Sequence, residues 1–199
     1  MKTDRPTTKI IAGKYKGKVL ELPSLDVTRS SKSVLKESLF NVLQFDIINK
    51  VFIESFAGSG SIGLEAISRG AKRAYFIELD RNSYQILIRN CKAVDIDKCQ
   101  TVQGNTFVQT PLILDFLKNS KEEIVLYVDP PFDYREGMED IYKKSFNMIS
   151  QIEANNIFMI IVEHVSNLEI PEVLGKFSLD KTRKFGKSSL SYYTYTKEL

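Results

Sequence analysis

Cysteine and histidine are scarce in this sequence of 199 residues. It contains two cysteines, Cys91 and Cys99, and a single histidine, His164. Two thiols are too few for a disulfide framework, and their spacing is not the C-x-x-C of zinc or redox sites. We therefore interpret both thiols as structural and expect no metal site.

Long apolar runs are also missing. The longest, residues 157–162, is far shorter than the roughly 20 residues needed to cross a bilayer. The start MKTDRPTTKI lacks the apolar core of a signal peptide. We therefore expect a soluble, cytoplasmic protein. The composition shows no break that would separate two units, which predicts one domain over residues 1–199.

Charge is distributed unevenly along the chain. The formal net charge is +3, but residues 1–36 carry +6 and residues 176–199 carry +4, which leaves −7 for the middle. If the two basic ends share one face, that face could bind a phosphate backbone around a more acidic pocket. Ordinary solvated lysines explain the same counts, so charge alone does not separate the two interpretations.

A helix is predicted from Ser31 to about Phe45. Strand-like and helix-like segments then alternate as far as the apolar run IFMIIVE. This order, with continuous apolar strands, predicts an α/β fold in which helices cover both faces of a mostly parallel sheet. Two β-hairpins are predicted outside this alternating region. One, an appendage, lies within residues 1–24 and precedes a core over residues 31–199; the other joins FSLDKTRKF to SLSYYTYT near the C terminus.

The segment ESFAGSGSIGLEA contains a G-x-G-x-x-G spacing at Gly58, Gly60 and Gly63. It follows a predicted strand and opens a predicted helix. Glu78 ends the next strand at about the spacing of a ribose-binding acid. The isolated motif is also compatible with a solvated turn. The complete order of strand, acid, glycines, helix and second acid predicts a nucleotide-type binding site.

The charge of Glu54 distinguishes two cofactors for this site. Glu54 ends the first strand, four residues before Gly58, where it would repel the pyrophosphate of a dinucleotide. S-adenosylmethionine carries an ammonium and a sulfonium, which suit an acid at this position. We therefore predict S-adenosylmethionine as the cofactor. The predicted cofactor-binding residues are Glu54, Phe56, Ala57, Gly58, Ser59, Gly60, Glu78, Leu79, Asn105 and Thr106.

Asn105 in QGNTF follows the third strand of the predicted sheet, where adenine recognition is usually supplied. Its amide could pair with the adenine amine. The same residue is also a good N-cap for the helix that begins TFVQTPLILDFL. Both interpretations remain open at this point.

The strand IVLYVD runs directly into Asp129-Pro130-Pro131-Phe132. Prolines carry no N–H, so this strand exit offers acceptors, namely carbonyls and the Asp oxygens. Such acceptors can hold both hydrogens of an exocyclic base amine, and Phe132 offers a flat face for a flipped base. We predict amine methylation. The predicted catalytic residues are Asp129, Pro130, Pro131 and Phe132.

Together these segments resemble the RsmD family of bacterial 16S rRNA guanine-N2 methyltransferases over nearly the whole chain. The matching pieces are KIIAGKYKGKVLELP, KESLFNVL, FAGSGSIGLEAISRGA, FIELD, VDPPF and RKFGKSSLSYY. D-P-P-[FY] alone is shared with DNA adenine and cytosine amino-methyltransferases and with protein glutamine methyltransferases. The opening hairpin combined with K-E-x-L-F-N is much more specific to the RsmD family.

The resemblance implies a seven-stranded, Rossmann-like methyltransferase fold whose last strand is antiparallel. It also implies a guanine in 16S rRNA of an assembling small ribosomal subunit as the substrate, and we expect a monomeric enzyme. The predicted RNA-binding residues are Lys9, Lys14, Lys16, Lys18, Arg29 and Lys187. The alternatives are an amino-methyltransferase acting on DNA or another RNA, an NAD-dependent oxidoreductase, and a nucleic-acid-binding module with a degenerate pocket.

The chain departs from the family pattern at two places. The family usually has R-P-T-x-D-R-V-R-E before the first helix, whereas this chain has RSSKSVLKE, which keeps Arg29, Lys36 and Glu37 but not the central Asp-Arg pair. This change affects how the segment would close over cofactor or RNA. The second departure is Asn105, where the family often has Asp; both residues can accept a hydrogen bond from an amine.

Four further side chains are interpreted from their positions near the C terminus. His164 follows the apolar run IFMIIVE and is predicted to be a solvent-facing loop residue, with base contact as the alternative. Tyr192, Tyr193 and Tyr195 could stack on RNA, but alternation along an edge strand predicts that at least one of them fills the core.

Overall fold

The computed structural model describes residues 6–23, 29–131 and 140–196, and for residues 29–32 only the backbone. Phe132 and the side chain of Arg29, both predicted site residues, therefore lie outside the described part. The helices are α1 Arg29–Leu43, α2 Ser61–Ser68, α3 Arg81–Val94, α4 Thr106–Leu117 and α5 Ile141–Ser150. The strands are β1 Thr7–Lys9, β2 Val19–Glu21, β3 Val51–Ser55, β4 Arg73–Glu78, β5 Cys99–Gln103, β6 Ile124–Val128, β7 Ile157–Val165, β8 Val173–Leu174, β9 Phe177–Phe185 and β10 Ser188–Tyr195.

The central sheet is mostly parallel. Its strand order is β5-β4-β3-β6-β7-β10-β9-β8, and β3 to β7 run in one direction. The last strand, β10, is antiparallel to both of its neighbours, β7 and β9. The predicted Rossmann-like α/β fold with an antiparallel last strand is confirmed. The two-residue β8 extends the seven predicted strands to eight in the part of the chain that the structure describes.

Helices cover both faces of the sheet because its strands are apolar on both sides. All five residues of β3 and of β6 are buried. On one face, Leu39 of α1 belongs to the same buried cluster as Phe52 and Tyr127 of the sheet. On the other face, Ile113 of α4 and Ile149 of α5 pack with the remaining strand side chains. Within the described ranges, no helix combines the length and apolar character that crossing a membrane requires.

The N-terminal hairpin is part of this packing. β1 and β2 pair antiparallel, as predicted, and Ile10 and Leu20 are buried in the same cluster as α1 and the sheet. The buried carboxylate of Glu65 on α2 accepts hydrogen bonds from the amides of Ile11 at 2.7 Å and Ala12 at 3.0 Å. The hairpin predicted as an appendage therefore contributes buried side chains to the core.

His164 is a core residue. It lies within β7 and is 1% exposed, so the prediction of a solvent-facing loop position is wrong. Its Nδ1–H donates to the carbonyl of Val165 at 2.9 Å, and its Nε2 pairs with the hydroxyl of Ser191 at 2.8 Å. Burial lowers the pKa of His164 and favours the neutral ring. β7 continues through His164 because His164 pairs with Ser189 of β10.

The tyrosines of β10 fill the interior. Tyr192 and Tyr193 are fully buried, and the hydroxyl of Tyr193 donates to the carbonyl of Pro171 at 2.8 Å. Tyr195 is half-buried and donates to the carbonyl of Ala154. RNA stacking on Tyr192 or Tyr193 is therefore excluded, and the expectation that at least one of these tyrosines fills the core is confirmed. The edge-strand premise is wrong, because β10 lies between β7 and β9, and the neighbouring residues Tyr192 and Tyr193 are both buried.

Candidate active site

A cavity of about 440 Å³ opens at the carboxyl ends of β3, β6 and β7. Its walls are the N-terminal hairpin, α1, the loop between β3 and α2, and the first residue after β6. Chain order reverses between β3 and β6, and open α/β sheets bind ligands at such a point. The volume is typical of small-molecule sites. Among the residues that the structure describes, the charged ones that line it are Lys9, Lys36, Glu54, Asp129 and Glu163.

The glycines between β3 and α2 allow the backbone to approach both the cavity and the sheet. Gly58 lines the cavity, and a Cβ at this position would meet open space. Gly60 has φ 74°, and a Cβ there would lie 2.4 Å from Cδ1 of Leu87. A Cβ on Gly63 would lie 2.9 Å from Oε2 of Glu54. The second and third glycines therefore serve the packing of α2, and the first faces the ligand space.

Phe56, a predicted cofactor residue, has a backbone that bulky side chains rarely adopt. Its φ is 73°, which costs of the order of 1–3 kcal/mol and persists only where the surroundings enforce it. The ring packs edge-to-face on Phe107 of α4, with centroids 5.7 Å apart. This strained turn holds Phe56 and Ala57 in the cavity wall.

Glu54 is buried at the floor of the cavity, 3% exposed. Its carboxylate accepts hydrogen bonds from the first turn of α2, from the amides of Gly63 at 2.8 Å and Ile62 at 3.4 Å. Burial raises the pKa of Glu54 to about 8, and the nearby charge of Asp129 adds to the shift, against the lowering effect of those amides and Lys36. A cationic ligand in the cavity would restore the charged carboxylate.

Glu78, the second predicted acid, lies on the other side of the glycine loop. One carboxylate oxygen accepts from the amide of Gly58 at 2.7 Å, and the other accepts from the amide of Asp80 at 2.7 Å. The end of β4 is thus joined directly to the loop that forms the cavity wall. Leu79, which follows, is 62% exposed.

Asn105 acts as the N-cap of α4. Its side-chain oxygen accepts from the amide of Phe107 at 2.9 Å. The capping interpretation is therefore confirmed. Because the oxygen is used, the exposed amide NH₂ is the group that could meet a ligand, and a donor suits a ring nitrogen of adenine rather than its amine. Thr106 is buried within the first turn of α4.

Asp129 lies at the end of β6 and lines the same cavity as Glu54. Glu54 pairs in register with Tyr127, and Asp129 follows Tyr127 by two residues, so all three side chains point to one face of the sheet. The amide of Asp129 donates to the carbonyl of Ser55 at 3.4 Å, which continues the pairing of β3 with β6 past the last strand residue. Pro130, next in the chain, is buried.

Lys36 is a buried cation that the sequence reasoning did not assign to the site. It lines the cavity at 3% exposure, and its ammonium donates to the carbonyl of Lys9 at 2.9 Å. A carboxylate oxygen of Glu65 lies 3.5 Å away. Burial lowers the pKa of Lys36, and Glu65 opposes that shift. The K-E-x-L-F-N motif contained this residue, but its helical spacing did not reveal that it faces the cavity.

Asn90 on α3 connects the hairpin to the glycine loop and was also missed. Its amide NH₂ donates to the carbonyls of Ser59 at 2.8 Å and Glu21 at 3.0 Å. Its side-chain oxygen accepts from the amide of Glu21 at 2.9 Å. Asn90 is 2% exposed, and its bond to the carbonyl of Ser59 is buried.

Replacing Asn90 by Ala should destabilise the protein by about 1–3 kcal/mol, because it leaves buried backbone groups of the hairpin and the loop without partners. Thermal unfolding measures the loss. Gln85→Ala, at an exposed position of the same helix, is the control and should change the unfolding temperature little. Equal stability of the two variants would contradict the role given to Asn90.

Two of the predicted RNA-binding lysines lie at the cavity edge of the sheet. Lys9 lines the cavity itself. The carbonyl of Lys187 accepts from the amide of Ser166, just beyond the carboxyl end of β7, at 2.9 Å. The basic C-terminal hairpin also meets α1, since Arg183 donates to the hydroxyl of Ser38 at 3.4 Å. The two basic ends of the chain are therefore adjacent.

Lys14, Lys16 and Lys18 are exposed on the turn of the N-terminal hairpin. The amide of Lys14 donates to the carbonyl of Ser68 at 2.8 Å, at the C-terminal end of α2. That end lies about 10 Å along the helix from the cavity. Lys14 and Lys16 thus lie away from Lys9, whereas the carbonyl of Lys18 accepts from the amide of Ile10, next to Lys9, at 3.0 Å.

Comparisons with known proteins cover nearly the whole chain. A family model described as "Conserved hypothetical protein 95" matches residues 8–194. Ribosomal RNA small subunit methyltransferase D of Escherichia coli K12 is 31% identical over 96% of this chain and 90% of that protein. The protein of the same name from Haemophilus influenzae is 36% identical over 63% of this chain and 64% of its own length. The solved structure of Escherichia coli yhhF, 28% identical, has a TM-score of 0.73 over 96% of this chain and 98% of that one.

Proposed function

Since this chain belongs to the RsmD family, we propose that it transfers a methyl group from S-adenosylmethionine to the exocyclic N2 amine of a guanine in 16S rRNA. The rRNA substrate comes from the names of the relatives, and the guanine N2 specificity follows the family. The fold and the cavity supply the argument for the cofactor and for the reacting amine.

The observation that carries the proposal is the pair of acidic side chains in one cavity. Glu54 and Asp129 end neighbouring strands, point to the same face and are close enough for Asp129 to raise the pKa of Glu54. Two carboxylates suit a cationic cofactor and an amine donor, and they oppose a pyrophosphate. The NAD-dependent alternative is therefore not retained.

S-adenosylmethionine, when bound, supplies an electrophilic methyl group on a sulfonium. The buried carboxylate of Glu54 would face its cationic portion, and the loop from Phe56 to Gly60 would provide backbone groups for the methionine portion. Glu78, tied to that loop through Gly58, would accept from the ribose hydroxyls. The NH₂ of Asn105 would donate to the adenine ring, and Leu79 and Thr106 would complete this part of the site.

Asp129 and the strand exit that follows it hold the amine. An exocyclic amine has two hydrogens and a lone pair delocalised into the ring, so it is a weak nucleophile that gains most from orientation. Asp129 and the carbonyl of Pro130 accept the two hydrogens, and the carboxylate stabilises positive charge that develops on nitrogen. Phe132 keeps its predicted role as a stacking face for the flipped base, and Pro131 keeps the exit rigid.

We assign the reaction to the cytoplasm and to a monomeric enzyme that acts on rRNA in an assembling small subunit. A guanine must leave its stack to enter a cavity of this size, and it can do so most easily where the rRNA is not fully folded. The basic surface around the cavity, with Lys9 and Lys187 at its edge, matches the negative charge of an RNA backbone.

Replacing Lys14, Lys16 and Lys18 together by Ala should raise the Kd for RNA and reduce its dependence on salt, by up to about one unit of slope for each lost phosphate contact. The cofactor affinity should change little, because these side chains lie on the hairpin turn. Filter binding across a salt series measures the RNA slope, and calorimetric titration measures the cofactor.

The matched control replaces three exposed lysines on the opposite face of the sheet, Lys118 at the end of α4 and Lys143 and Lys144 on α5. This control loses the same charge but should keep the parental slope. An equal change in both triple variants would mean that net charge, and not the hairpin, governs RNA binding.

The function is tested by mapping modified nucleosides in 16S rRNA from a strain that lacks the protein. Mass spectrometry should show one N2-methylguanosine lost from the rRNA and restored by the parental gene but not by a gene encoding Asp129→Ala. An unchanged set of methylated guanines would exclude the proposed substrate.

A further inference from the structure

Glu163 is a third buried carboxylate in the cavity, and the reaction described above does not use it. It is 2% exposed and lies on β7, one residue beyond the register pair of Val128 with Val162. Asp129 occupies the corresponding position directly after β6. Glu163 and Asp129 are therefore neighbours across two strands, and both line the cavity.

Tyr127 determines the direction of the Glu163 carboxylate. Its phenol donates a hydrogen bond to Oε2 of Glu163. Burial, with the charges of Glu163, Asp129 and Glu54, raises the pKa of Tyr127, so the phenol stays protonated and remains a donor. Tyr127 and Asp129 are two residues apart on β6, so their side chains share one face of the sheet. The phenol thus holds Glu163 on the side where Asp129 projects.

The bases that carry an exocyclic amine differ in the ring nitrogen beside it. In guanine the N2 amine lies between N3, which is an acceptor, and N1, which carries a hydrogen and is a donor. In adenine the N6 amine is flanked by an unprotonated N1, and in cytosine the N4 amine is flanked by an unprotonated N3. An acid beside the amine-binding residue therefore complements guanine alone.

We propose that Glu163 accepts the N1–H of the target guanine, beside the amine held by Asp129, and thereby selects guanine over adenine and cytosine. The inference rests on the proposed function and adds the residue that reads the base. Tyr127 acts as a positioning residue, since it touches Glu163 and not the base. Adenine or cytosine in the same place would direct a lone pair at a buried carboxylate, with no hydrogen between them.

The test uses the full-length enzyme and small-subunit particles that carry either guanine or 2-aminopurine at the mapped position. 2-Aminopurine keeps the reacting amine but has an unprotonated N1 and lacks the 6-oxygen. The preference is the ratio of kcat/KM for guanine to that for 2-aminopurine. It is measured for the parental enzyme, for Glu163→Gln and for Tyr127→Phe.

The parental enzyme should prefer guanine by about tenfold to a hundredfold, as expected for one buried hydrogen bond that the analogue cannot make. Glu163→Gln should reduce this preference at least tenfold, because an amide can turn its NH₂ toward an unprotonated N1. Tyr127→Phe should slow both substrates alike and keep the preference, since the carboxylate is still present.

Several results would overturn the proposal. A parental preference for guanine below about threefold would overturn it. This measurement needs no variant, so it tests the proposal even if Glu163→Gln does not fold. Equal losses on both bases in Glu163→Gln, the pattern expected only of Tyr127→Phe, would also overturn it, because a merely structural residue lowers activity without changing base choice. If the parental enzyme methylates neither particle although it binds S-adenosylmethionine, the proposed function fails and this inference with it.

Discussion

The variant Asp129→Ala should lose about 10²–10³ in the rate of methyl transfer and still bind S-adenosylmethionine. The substitution removes an acceptor for the amine and the charge that stabilises the developing cation. The cofactor contacts assigned to Glu54, Glu78 and the glycine loop remain. Single-turnover methylation of small-subunit particles with labelled cofactor gives the rate, and calorimetric titration gives the affinity.

Asp129→Asn is the matched control for shape. It keeps one oxygen acceptor in place but not the charge, so its rate should lie between those of the parent and of Asp129→Ala. A near-parental rate for Asp129→Ala would show that the amine is not activated at this strand exit, whichever cofactor the glycine loop binds.

The variant Glu54→Gln should bind S-adenosylmethionine more weakly by roughly 1.5–3 kcal/mol, or about tenfold to a hundredfold in Kd. Gln can still accept from the amide of Gly63, so the first turn of α2 keeps its partner while the charge is lost. Affinity measured by titration at pH 8 tests this expectation. Unchanged affinity in a folded variant would exclude Glu54 as the partner of the cofactor cation.

Because the pKa of Glu54 is raised, Glu54→Gln should also change the stability of the protein in a pH-dependent way. The folded protein holds a proton on Glu54 up to about pH 8, whereas the unfolded chain releases it near the ordinary carboxyl value. The stability contributed by this proton is therefore lost as the pH rises through about 8. Glu54→Gln should unfold at a higher temperature than the parent at pH 9, with a smaller difference at pH 5. A difference that does not vary with pH would contradict the buried, protonated state.

The same shift predicts how cofactor binding depends on pH. At pH 6 a bound cation must displace the proton from Glu54, which costs binding free energy. At pH 8 much of Glu54 is already ionised, so most of this cost is absent. The sulfonium keeps its charge at both pH values. The affinity of the parent should rise relative to that of Glu54→Gln between these values, because the cofactor's ammonium, which loses its proton at about pH 8, affects both proteins alike. Asp129 and Lys36, the other charged groups that influence Glu54, are present in both proteins.

The parts of the site that could be predicted from the sequence are those encoded in contiguous segments. The strand, glycine loop and helix around Gly58 form one stretch of chain, and Asp129 follows its strand directly. Local pattern sufficed there because neighbours in sequence are neighbours in space. The alternation of strands and helices likewise predicted the parallel sheet.

The remaining parts depend on which distant segments become neighbours. Glu163 lies beside Asp129 only because β7 pairs with β6. Without that pairing, the sequence gives no sign that Tyr127 binds Glu163. Asn90 carries no local signal of its role, because the hairpin that it binds is distant in sequence. The end of the apolar run predicts a loop at His164, whereas pairing with β10 continues the strand through it.

The central claim is that this cavity methylates the N2 amine of a guanine in 16S rRNA, and one measurement tests it most directly. Small-subunit particles lacking the modification are incubated with the protein and S-adenosylmethionine carrying a deuterated methyl group, and the rRNA nucleosides are separated by mass spectrometry. The account predicts the label in N2-methylguanosine at a single position. Label in methylated adenosine or cytidine, or in no nucleoside, would contradict it.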